Sequence, residues 1–128
     1  MSSLTPSPEA IQAFVQAPQS GPFVMVNLLK FRKDGGEAEY MKYSAEAMKH
    51  LQQVGARVAF VGRVEHFLVG QSGWDAVALV EYPSRKAFLK MATDPEYLKS
   101  HEHRERGLER TELFAVAPGA MVPAGGQS

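Results

Sequence analysis

The run "FVMVNLLKF" (Phe23 to Phe31) limits the possible folds more than any other part of the chain. Successive side chains of a strand point to opposite faces. Val24, Val26 and Leu28 therefore form one row, and Phe23, Met25, Asn27, Leu29 and Phe31 form the other. Apart from Asn27 both rows are apolar, so both faces need a cover. A chain of 128 residues has helices enough for one face. The economical source of the other cover is a second copy, with two sheets packing together or closing into a barrel.

The remaining elements follow from local signals. "SPEAIQAFVQ" predicts a short helix, with Ser7 as cap and Pro8 in the first position. After the strand, "KDGGEAEYMKYSAEAMKHLQQVG" predicts a long helix. Asp34 and Glu37 have capping-box spacing, Gly35 and Gly36 weaken the first turn, and Gly55 supplies a left-handed stop. Tyr40, Tyr43, Ala47, Leu51 and Val54 recur along one face. "RVAFVGRVEHFLVG" alternates apolar with polar and predicts a long strand, joined by the turn "QSG" to a strand "WDAVALVEY". "PSRKAFLKM" opens a helix capped by Ser84. "TDPEYLKSHEHRERG" starts again from Asp94 and Pro95 and ends at Gly107, and "RTELFAVA" closes the set as a strand.

The order β-α-β-β-α-β is an α+β, ferredoxin-like antiparallel sheet with a short extra N-terminal helix. Its usual spatial order makes the first and third strands central. These are the most apolar ones here, while the second carries Arg57, Arg63, Glu65 and His66. One domain is expected over residues 8–117. Residues 1–7 and 118–128, rich in Pro, Gly, Ser and Ala, are expected to be disordered tails.

Lys+Arg and Asp+Glu balance at 14 each, so no net field draws in nucleic acid or an anionic membrane. Cysteine is absent, which excludes disulfides, thiol chemistry and thiolate metal sites. The opening residues lack a basic and then apolar leader pattern, and no apolar run approaches the ~20 residues that span a bilayer. The cytoplasm is the expected compartment.

Asn27 is the first candidate for a ligand site. A buried amide without partners costs on the order of 1–3 kcal/mol, so it either ties strand to helix, through Tyr40 or Tyr43, or anchors a ligand in an apolar pocket. Tyr40 and Tyr43, three residues apart, can both point at the sheet as core fillers or as hydroxyl contacts. Tyr82 ends the third strand and carries the same two readings; Trp74 follows the hairpin turn, and Arg63 is a further polar group to test. In "EYLKSHEHRERG", Tyr97, His101, Arg104 and Leu108 track one side and His103 another. The charges there are a solvated face with a Glu102–Arg106 pair, or His103 and Arg104 hold an anionic group, for which a guanidinium fork is suited. His66 shares a row with Val58, Phe60, Val64 and Leu68. It is structural, or a general base if that row faces the pocket.

His101 and His103 sit ~200° apart around a helix axis and cannot share an ion, and no HExxH is present, so no metal site is expected. GxGxxG, P-loop and GxSxG patterns are also missing, and no cofactor is expected.

The ordered set "VMVNLLKFR", "YMKYS", "WDAVALVEYPSRKAF", "DPEY" and "HR" resembles the domain-of-unknown-function family numbered 1330, of the dimeric α/β-barrel superfamily. The resemblance spans about residues 22 to 117. It implies a ferredoxin-like fold, a twofold homodimer, and a pocket between the sheet and its helices or the partner. Relatives in that superfamily include cofactor-independent monooxygenases, isomerases, haem-degrading enzymes and ligand sensors. Two functions are carried forward. The first is a homodimeric protein binding a small organic metabolite, of aromatic or carboxylate type. The second is a cofactor-independent monooxygenase or isomerase with His66 or His103 as base.

Overall fold

The computed structural model describes residues 4–17 and 21–119. Its elements are α1 (Pro8–Gln16), β1 (Phe23–Phe31), α2 (Gly36–Gln53), β2 (Arg57–Arg63), β3 (Ala76–Tyr82), α3 (Arg85–Ala92), α4 (Pro95–Gly107) and β4 (Leu108–Val116). The four strands form one antiparallel sheet in the order β2-β3-β1-β4. The two most apolar strands are thus central, where each has a neighbour on both sides.

Three helices start as their local sequence requires. Ser7 Oγ accepts the Ala10 N–H and Ser84 Oγ the Ala87 N–H, both at 3.1 Å, and Asp94 Oδ1 accepts the Glu96 N–H at 2.9 Å. The fourth departs from expectation. Asp34 does not cap α2; Gly35 does, at φ 79° and with no side-chain bond. The cause lies far along the chain. Gly36 meets Gly107 so closely that a Cβ on Gly36 would stand 2.5 Å from the Gly107 oxygen, and one on Gly107 would stand 2.6 Å from the Gly36 oxygen. Arg32 N–H donates to that same Gly107 oxygen at 2.8 Å. Two backbones touch here, and only glycine at both places allows it.

The helices cover one face of the sheet. Phe23, Met25, Leu29, Ala76, Ala78 and Tyr82 point into that layer and are buried. Phe23, Met25 and Tyr82 join Ala47, Leu51, Phe88, Met91 and Tyr97 in the main core. A second cluster, of Leu29, Tyr40, Ala76 and Leu108, closes the end near the glycine contact. The opposite face carries Val24, Val26, Leu28, Val77 and Leu79, all only half-buried, flanked by the exposed Phe60 and Phe114.

The expected α/β barrel is not formed. The sheet is open, with β2 and β4 as unjoined edges; four strands are too few to wrap around an interior of their own. The long strand expected over residues 57–70 also stops early, at Arg63. Its partner β3 begins only at Ala76, because Asp75 is drawn to β1: its N–H donates to the Leu29 oxygen at 2.8 Å and its Oδ2 accepts the Phe31 N–H at 2.9 Å. After the Val64–Asp75 backbone bond the ladder has no partner, and residues 64–75 run as a loop.

Of the two tails expected from the sequence, residues 1–3 and 120–128 lie outside the described residues. Leu4 packs against the second core cluster, and α1 follows directly from Pro8. Among the described residues no helix is long and apolar enough to cross a membrane.

Candidate functional site

Between the covered face of the sheet and the helices lies a cavity of about 550 Å³, inside the range that holds small organic ligands, roughly 300–1,000 Å³. Its floor includes one row across all four strands: Val61, Ala78, Asn27 and Leu113, which are aligned in register. Ala78 beside Asn27 leaves space where a larger side chain would have met the helices. Tyr40, Tyr43, Ala47 and Leu51 of α2 line one wall, Phe88 and Met91 of α3 another, and Tyr97, His101 and Arg104 of α4 a third. Leu4, Pro6 and Ile11 come from the N-terminal segment.

Polar groups are few. The Asn27 amide donates to the Ala78 oxygen at 3.3 Å and the Met25 oxygen at 3.5 Å, both long. It bonds to neither Tyr40 nor Tyr43. The Tyr43 and Tyr97 hydroxyls lie 2.7 Å apart. Burial pushes the Tyr43 phenol well above its ordinary range and also raises Tyr97, with Arg104 opposing both more weakly. Both phenols stay protonated at neutral pH. Burial, then the charge of Arg104, lowers the His101 pKa against a weaker pull from Glu105, so this imidazole is neutral at pH 7.

Arg104 is the exceptional group. It is 4% exposed. Its Nη1 donates to the Leu4 carbonyl at 2.8 Å, while its Nη2 is buried without a hydrogen-bond partner. No carboxylate among the described residues pairs with it, although six lysine or arginine ion pairs form elsewhere among them. An uncompensated buried charge costs several kcal/mol.

The residues singled out from the sequence separate into two groups. Asn27, Tyr40, Tyr43, Tyr82 and Arg104 come together around the cavity. Arg63 does not; it is exposed and pairs with Glu37. Trp74 is buried outside the cavity, with the Arg110 guanidinium 4.2 Å above its ring. His66 sits exposed in the loop after β2, because the strand row that would have carried it inward ends at Arg63. His103 faces α2, where Nδ1 lies 3.3 Å from Glu39 Oε1 and Nε2 3.8 Å from Glu46 Oε2. It links two helices and does not line the cavity. Neither expected base therefore reaches this site. Tyr97 and His101 do, and the signal for them was their common side with Arg104 on the helix. No group of three or more His, Asp or Glu among the described residues is arranged to hold a metal ion.

Residues 28–117 match the model of the domain of unknown function DUF1330. The chain belongs to this family. A crystal structure of a protein of unknown function from Rhodopseudomonas palustris is 28% identical, with a TM-score of 0.85 over 92% of this chain and 98% of that one. An uncharacterised NIPSNAP domain protein from Burkholderia xenovorans shares the fold at 16% identity, with a TM-score of 0.58 over 79% of this chain and 98% of its own. A protein from Jannaschia described as a dimeric ferredoxin-like protein of unknown function does so at 12% identity, with a TM-score of 0.62 over 77% of this chain and 100% of its own. Among curated proteins, none matches.

Proposed function

We propose that this DUF1330 protein binds a small organic acid, with an apolar or aromatic body, in the cavity between sheet and helices. The observation that carries the reading is Arg104, which lines a mostly apolar cavity and whose buried Nη2 has no hydrogen-bond partner. A carboxylate there would accept a charge-assisted hydrogen bond and neutralise the guanidinium, while its body displaced water from Met25, Ala78, Val80 and Phe88. Tyr40, Tyr43, Tyr82 and Asn27 would complete the contacts. Thermal denaturation with paired ligands tests this: each acid against its own primary amide. Acids should raise the Tm by mass action and amides should not. Arg104→Met should remove the shift yet leave the free protein folded and no less stable, since it deletes a lone buried charge. Equal shifts from acid and amide, or a shift that survives Arg104→Met, would sink the reading.

We also propose a homodimer, with a second copy over the open face of the sheet. Phe60, Leu79, Val26 and Phe114 lie side by side across the four strands of that face, and the Jannaschia fold relative is described as dimeric. Sedimentation at micromolar concentration checks it; a clean monomer removes it.

One observation favours a catalytic version. His101 is held neutral inside the cavity beside Arg104, so it, and not His66 or His103, is the base available to an isomerase or a cofactor-independent oxygenase. Turnover of a bound acid that is lost in His101→Gln with binding retained would support it; turnover unchanged in that variant would end it.

A further inference from the structure

We infer that the ligand carries, besides its acid group, a hydrogen-bond donor such as a hydroxyl that Asn27 Oδ1 accepts; this rests on the acid-binding reading above. Donors and acceptors are divided unevenly between the two layers of the cavity. On the helix layer there are donors to spare. Arg104 Nη2 has no partner. In the Tyr43–Tyr97 pair one hydroxyl donates to the other across 2.7 Å, which leaves the second hydroxyl with a proton still to give. A carboxylate has two oxygens and accepts from both.

On the sheet layer the situation is reversed. The Asn27 NH2 group is turned toward two backbone carbonyls, of Ala78 and Met25. Those two bonds leave its oxygen free, no described residue is shown donating to that oxygen, and Asn27 lines the cavity. Every other residue in that row is apolar: Val61, Ala78 and Leu113. An acceptor standing alone on an apolar floor selects for a donor, and a site built to bond a hydroxyl rejects the analogue lacking it far more strongly than an apolar pocket rejects an added atom. The geometry thus fits an acid whose carboxylate meets α4 and α2 and whose hydroxyl reaches down to β1.

Calorimetry on the full chain with phenylacetate, 4-methylphenylacetate, 3-hydroxyphenylacetate and 4-hydroxyphenylacetate decides the matter, the methyl compound controlling for volume. At least one hydroxylated acid should bind tenfold or more tighter than both unhydroxylated ones. Asn27→Leu should collapse that preference to within twofold, with thermal denaturation confirming its fold, while loss of binding in Arg104→Met persists. If all four acids bind alike and Arg104→Met abolishes them, the hydroxyl inference fails and acid binding stands. If no acid binds, both fall. If the preference survives Asn27→Leu, the acceptor is another group, with His101 the neighbour to test, and the assignment to Asn27 is overturned.

Discussion

Two neighbouring rows cross the sheet one residue apart. Val61, Ala78, Asn27 and Leu113 look toward the helices; Phe60, Leu79, Val26 and Phe114 look away. The first row is the lighter one, with an alanine and an amide at its centre, and a cavity stands above it. The second is bulky and apolar throughout, yet Phe60 and Phe114 remain 60% and 44% exposed. The face that has a cover is hollow, and the face built like a core is left without one. This teaches that the helix layer does not explain all the apolar residues in the sheet. One face borders a cavity and the other carries an uncovered apolar row.

The difference can be broken at β1, where Leu29 and Val26 belong to opposite faces. Leu29 is 1% exposed, and Leu29→Ala should cost about 2–5 kcal/mol in urea unfolding at any protein concentration. Val26→Lys should cost the single subunit less than about 1 kcal/mol, since the lysine can stay in water, but should weaken self-association by a hundredfold or more in sedimentation, as a desolvated charge would. Self-association unchanged in Val26→Lys would mean that Val26 faces nothing but solvent. The smallest effect is electrostatic and belongs to the covered face. Because the folded His101 pKa lies below 6.5, the unfolded chain takes up a proton first as pH falls. Stability is therefore full above about pH 6.5 and declines as pH drops from there through the lowered folded value. His101→Gln should flatten that acid limb, by no more than about 4 °C in Tm at pH 5; an unchanged limb would show the imidazole to be as hydrated as in the unfolded chain.

Much of the fold was legible because its causes are local. Ser7, Ser84 and Asp94 bond to backbone within three residues, so their sequence neighbours suffice to place three helix starts. The start of α2 was not legible, because Gly107, seventy-one positions after Gly36, decides it. Nor was the end of β2, which follows from what Asp75 does with β1; the apolar residues of 64–70 fall in a loop where Leu68 and Val69 are each 94% exposed. With β2 ending at Arg63, His66 stays out of the cavity. The anomaly of Asn27 did mark the cavity floor. The solitude of Arg104 could not be read, since Glu102 and Glu105 are close in sequence, and only the turn of α4 shows that neither reaches it.

The contact of Gly36 with Gly107 also determines how a molecule could come and go. It locks the start of α2 to the end of α4 main chain against main chain, so these two helices cannot spread at that end without breaking the join. At the other border stands α1, none of whose residues is buried and which leans on the body through Phe14 against Phe23 and Phe88. For a molecule entering the cavity, the joined corner would be the closed side and the N-terminal helix the cheaper one to displace.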